Sequence, residues 1–218
     1  MLYDITPAIT PNLSVWPGDT PMSREVLMDI AKGDSVTLST LRATVHLGAH
    51  ADGPNHYAKT GTGIGERPLR FYMGPCRVIS AKINRGERVR TDHLAIDDID
   101  DVTSHRVLIK TGTFPDPNNW NSDFAALDPA LVDTFANKGV LTIGIDTPSV
   151  DLQDSKDLPS HAAFARHDMA ILEGLRLEAV PDGEYELIAL PLKLLGFDAS
   201  PVRAVLRTME NPLRLRAD

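Results

Sequence analysis

The chain has 218 residues, 42% of them hydrophobic and 24% charged, enough to build a core for one domain over residues 1–218 without disulfides or a structural metal. A net charge of −8 lacks the basic footprint that a nucleic-acid backbone requires, so nucleic acid is excluded as a partner. The single Cys76 has no internal disulfide partner, the start carries no basic and apolar leader pattern, and the apolar run at 187–197 is too short and interrupted to span a bilayer; the expectation is a cytoplasmic protein without membrane contact.

In chain order, the proline-rich segment through Pro21, with Trp16-Pro17-Gly18-Asp19 at its tip, predicts a short strand followed by an ordered loop. Strand-like runs follow at 25–30 and 36–51, then a glycine-rich loop at 61–65, read as flexible, and a strand at 76–83 in which Cys76 packs. That loop does not match a dinucleotide fingerprint, because Glu66 stands where the last glycine belongs. Thr91 opens a helical turn with its hydroxyl as cap, and 106–111 reads as a strand. Asp128-Pro129 opens a helix through Leu131, Val132 and Phe135 that stops at Gly139. A buried strand at 140–145, a second helix capped by Ser160, and late strands at 185–190 and 202–209 complete a strand-rich α/β chain with about two substantial helices.

The segment from His46 to His56 gathers three of the seven histidines and a carboxylate. If it is extended, His46, His50, Asp52 and His56 share one face while Val45, Leu47, Ala49 and Ala51 share the other. A helix would turn Asp52 away, and Gly48, Gly53 and Pro54 disfavour one. Imidazole nitrogen and carboxylate oxygen are the usual ligands of hydrolytic zinc; the alternative is a solvated polar strand edge. A weaker cluster runs from Asp146 through Thr147, Pro148, Ser149 and Asp151 to Ser160-His161, with Glu173 beyond. Alone, His161 would read as a cap neighbour and Glu173 as a solvated helix end. His93, His105 and His167 lack partners at ligand spacing, and no Gly-x-Ser-x-Gly element offers a serine nucleophile.

Taken together, these residues resemble the metal-dependent cyclase-like hydrolases, whose signature His-x-Gly-Thr-His-x-Asp-x-Pro-x-His is matched from His46 to His56 except that Ala49 replaces Thr. Trp16-Pro17-Gly18-Asp19 and Asp146-Thr147-Pro148-Ser149 are similar to the bacterial kynurenine formamidase branch of that family. The resemblance implies a swivelling β/β/α fold and two Zn2+ ions per subunit; the mixed nitrogen and oxygen ligand set also accepts Mn2+ or Fe. It assigns His46, His50 and Asp52 to one ion, Asp52, His161 and Glu173 to the other, and leaves His56 free for proton transfer. The implied reaction is hydrolysis of N-formyl-L-kynurenine to L-kynurenine and formate, in tryptophan catabolism, by a homodimer or higher homo-oligomer. Trp16 would stack on the small-molecule substrate, within its own subunit or across an interface, or else anchor the amino-terminal arm in the core. The alternatives are an isatin-hydrolase-like or other cyclic amide or ester hydrolase, and a non-catalytic metal- or ligand-binding relative.

Overall fold

The computed structural model describes residues 1–96 and 98–209. Its strands are β1 (Leu2–Asp4), β2 (Ser23–Met28), β3 (Leu38–Arg42), β4 (His50–Asp52), β5 (Met73–Ser80), β6 (Arg88–Val89), β7 (Arg106–Lys110), β8 (Ala126–Leu127), β9 (Thr142–Ile145), β10 (Ala170–Glu173), β11 (Gly183–Ile188), β12 (Ala199–Pro201) and β13 (Val205–Thr208). The two α-helices are α1 (Pro129–Asn137) and α2 (Pro159–His167). Nine strands form one mixed sheet in the order β1-β13-β11-β5-β7-β9-β10-β4-β12. Its centre, β5-β7-β9-β10, is parallel, and antiparallel strands extend it on both sides.

The sheet centre is apolar on both faces because it is covered on both. Along β7, Leu108 joins one core cluster, with Val78, Leu187 and Leu206, while Val107 and Ile109 join the other, with Ile143, Ile171 and residues of both helices. Residues of α1 (Leu131, Val132, Phe135) and of α2 (Ala163, Phe164) belong to the second cluster, so both helices cover the same sheet face. The expected α1 forms as read: Asp128 accepts from the Ala130 amide, Pro129 takes the first turn, and Gly139 follows at φ 81°.

Three local expectations are corrected. The run at 36–51 is not one strand: β3 pairs only with β2 in a separate, solvent-exposed hairpin, and the chain turns at Gly48 (φ 60°) before β4 begins. Ser160 does not cap α2; its hydroxyl donates to the Leu127 carbonyl, while the Ser160 and His161 amides donate to Asp151. At the turn after Arg90, the ring of His93, not the Thr91 hydroxyl, accepts a backbone N–H. The glycine-rich loop is also tightly packed where flexibility was expected: a Cβ on Gly61 would lie 2.2 Å from the Pro54 carbonyl carbon, and one on Gly65 2.6 Å from Leu194. Among the described residues, no helix is long and apolar enough to cross a membrane.

Candidate metal centre

Three short pieces, instead of one continuous strand, deliver the histidine motif: the turn at Gly48, then β4, then a 3-10 turn at Pro54–His56. Within β4 the alternation holds, with His50 and Asp52 on one side and Ala51 buried on the other. The antiparallel ladder to β10 sets Glu173 directly opposite His50, and the first turn of α2 brings in His161.

Asp52 sits at the middle, fully buried. Its Oδ1 lies 3.2 Å from His46 Nδ1 and 3.5 Å from His50 Nε2, and its Oδ2 lies 3.6 Å from His161 Nε2. Glu173 faces His50 Nε2 at 3.2 Å and His161 Nε2 at 3.7 Å. Ligand-type atoms of His50, Asp52 and Glu173 all lie within 4.8 Å of one another, as do those of His46, Asp52 and His56. His50 Nε2 and both Asp52 oxygens are buried without a hydrogen-bond partner. Such orphaned atoms are costly unless a cation meets them, and a nitrogen and oxygen donor set of this kind fits a divalent transition-metal ion.

The outer nitrogens of the three rings are held. His50 Nδ1 lies 2.9 Å from the Gly48 carbonyl, His161 Nδ1 2.8 Å from Asp151 Oδ2, and His46 Nε2 3.1 Å from Asp198 Oδ2. Burial opposes charge on His46 and His161, yet neighbouring carboxylates prevail: Asp52 and Asp198 push His46 up to about 9, and Asp151 and Asp52 push His161 up to about 10. Burial alone would raise Asp52, but the rings of His161 and His46 hold it well below the usual carboxylate range. His56 is lowered, chiefly by burial. Protons and a metal ion would thus compete for the same atoms.

His46, His50, His56, His161 and Glu173 line a cavity of about 320 Å³ whose walls include Trp16, Phe114, Trp120 and Leu158, with Arg176 also on its lining. Trp16 lines the cavity, 37% exposed, and its ring packs edge-on against Trp120 and Phe124 at 5.5 and 6.2 Å. Asp146 accepts from the amides of Thr111 and Gly112 and so fixes the turn that leads into Phe114. Sequence reasoning missed Phe114, Trp120, Asp198 and the contact of Asp151 with His161. Asp151 stood in the second cluster without a role, and Asp198, 152 positions from His46, offered no local signal. His105 and His167 lie away from the centre, against the Gly139 carbonyl and Asp133, and Cys76 is buried with its thiol pushed up by desolvation.

A family model described as "Putative cyclase" matches residues 3–152, which include the motif from His46 to His56 but not His161 or Glu173. A kynurenine formamidase of Maricaulis maris (strain MCS10) is 45% identical over 209 residues, 95% of this chain and 98% of that protein. Among solved structures, a "predicted metal-dependent hydrolase" from Bacillus stearothermophilus is 28% identical with a TM-score of 0.76, over 94% of this chain and 97% of that one. Isatin hydrolase A from Labrenzia aggregata shares the fold, with a TM-score of 0.79 at 19% identity over 96% of this chain and 94% of that one.

Proposed function

This chain belongs to the cyclase family, and from that membership we propose that it hydrolyses N-formyl-L-kynurenine to L-kynurenine and formate. One observation carries the reading: His46, His50, His161 and Glu173, which line an aromatic-walled cavity, converge on the buried Asp52, and buried atoms of His50 and Asp52 have no hydrogen-bond partner. His46, His50 and Asp52 would hold one ion and Asp52, His161 and Glu173 a second, since the two Asp52 oxygens face different rings. Zinc, or manganese in its place, would supply Lewis acidity to the formyl carbonyl and lower the pKa of water toward about 7.

The chain's own groups do the rest. His56, on the cavity lining with 35% of its side chain exposed, passes a proton to the departing aniline nitrogen. Its lowered pKa keeps a neutral ring available at neutral pH to take that proton from the attacking water before handing it to the nitrogen as the C–N bond breaks. Trp16, Trp120 and Phe114 contact the aromatic ring and exclude water around it. Arg176, anchored on the Pro115 carbonyl and Glu178, offers its remaining N–H groups to the substrate carboxylate.

The same proposal takes residues 1–218 as one catalytic domain in the cytoplasm, where the free Cys76 thiol stays reduced. It makes the working form a homodimer or higher homo-oligomer, because the β2–β3 hairpin exposes Val26, Leu27, Leu38 and Leu41 and an isolated two-stranded hairpin is marginal in water. The test is formate release from N-formyl-L-kynurenine by protein stripped of metal and then reconstituted with zinc or manganese. Metal-restored turnover with kcat/KM above about 10⁴ M⁻¹s⁻¹ is the expected result. Metal binding without turnover would discard this substrate and direct the search to cyclic amides.

A further inference from the structure

We propose that Asp151 is a positioning residue for the metal centre, one that fixes the ring of His161 so that Nε2, and not Nδ1, faces Asp52 and Glu173. Asp151 has 0% exposure, and its carboxylate is saturated with donors. Oδ2 accepts from the His161 amide at 3.0 Å and lies 2.8 Å from His161 Nδ1; the Ser160 amide stands 3.1 to 3.2 Å from both oxygens, and Arg88 Nη1 donates to Oδ1 at 2.8 Å. Pro159, the first residue of α2, has no N–H, so the Ser160 and His161 amides are the leading donors of the helix. One carboxylate therefore closes the helix start and takes the ring proton of the same histidine. Backbone and side chain of His161 are locked to a single point, and its tautomer is set.

The other two rings are held differently. His50 leans on a backbone carbonyl, and His46 on Asp198, whose side chain is 47% exposed and also stands 3.7 Å from His56 Nδ1. Only His161 has a buried carboxylate behind it, and Arg88 offsets that charge while donating as well to the Leu127 carbonyl and Ser160 Oγ. A negative partner behind an imidazole strengthens its other nitrogen as a donor toward metal, and losing such a partner commonly weakens metal binding about 10–100-fold.

The inference rests on the reading of this centre as a metal site, and its test needs no substrate. Cobalt(II) and zinc affinities are measured for wild type, Asp151→Asn and Ser160→Ala, the last removing the hydroxyl that ties the same helix start to the Leu127 carbonyl without touching the His161 ring. Asp151→Asn is expected to weaken binding about 10–100-fold and alter the cobalt spectrum, with Ser160→Ala within about threefold of wild type. Equal losses in both variants, or wild-type affinity in Asp151→Asn, would reduce Asp151 to a helix cap and overturn the proposal. Should Asp151→Asn not fold, nitrogen-15 histidine spectra of zinc-loaded wild type decide: a proton on His161 Nδ1 supports the assignment, and a proton on Nε2 refutes it. A wild type that takes up neither ion overturns the metal reading and this inference together. Metal uptake without formamidase activity removes only the substrate.

Discussion

His56 stands apart from the other histidines of the centre: it is the most exposed, and its charge is suppressed by burial while those of His46 and His161 are favoured by carboxylates. Replacing His56 with Ala is expected to lower kcat about 10²–10⁴-fold with metal content unchanged. Because its ring atoms also approach those of His46 and Asp52, metal loss in that variant, read by elemental analysis, would make it a ligand instead. Trp16→Ala should raise KM about 2- to 13-fold and leave kcat near wild type, the loss of one aromatic contact of about 0.5–1.5 kcal/mol. The histidine shifts also fix the sign of a pH effect. His46 and His161 are raised, to about 9 and about 10, so at neutral pH an incoming ion must displace their protons. Apparent metal affinity should therefore rise with pH through the neutral range, with proton release measurable by calorimetry in buffers of different ionisation enthalpy. In the stripped protein, the same raised groups stabilise the fold fully below about pH 6.5, and that contribution is lost as pH rises through 9 to 10.

At the scale of elements, the centre depends on close backbone contact between β10 and the turn before β4. Gly174 follows Glu173 at φ 66°, and a Cβ there would lie 2.2 Å from the Gly48 carbonyl oxygen, whose position orients His50. Neither partner is a flexible side chain that could yield. Gly174→Ala should cost about 2–4 kcal/mol in urea unfolding and reduce bound metal, through strain and displacement of the turn. Asp128→Ala offers the contrast: it removes the α1 cap on the same side of the sheet, and is expected to cost about 1 kcal/mol while metal content and turnover stay unchanged. Equal effects of the two substitutions on metal content would sink the claim that the β4–β10 contact is local to the site.

For the whole molecule, the nine-stranded sheet separates tasks. Its parallel centre carries two apolar faces, and its β10-β4-β12 end, one strand short of the edge, carries the polar cluster. The β2–β3 hairpin stands outside that sheet, and its base joins the cavity wall at Asp19, whose carboxylate accepts from the Thr44 hydroxyl. In the proposed oligomer the hairpin is covered by another copy. Introducing Leu27→Lys and Leu41→Lys together should shift the sedimentation coefficient to that of the monomer, and an unchanged coefficient would locate the interface elsewhere.

Elements whose instructions are local were legible in the amino-acid chain: α1 from Asp128, Pro129 and Gly139, the strands β5, β7 and β9 from their apolar runs, and the first half of the polar cluster from alternation at His50 and Asp52. The short strand β10 was not, because it follows α2 almost directly and Glu173 reads there as a helix end. The net charge of −8 was also legible, because charge sums over residues whatever their arrangement. What depends on distant chain segments meeting came only with folding. Ladder register set Glu173 opposite His50, Asp198 reached His46 across 152 positions, and Asp151 displaced Ser160 as the partner of the α2 amides. Folding also broke the run at 36–51 into a hairpin and a buried strand. Apolar and β-branched residues favour extended backbone in either place, and only packing against β10 and β12 tells β4 that it lies inside.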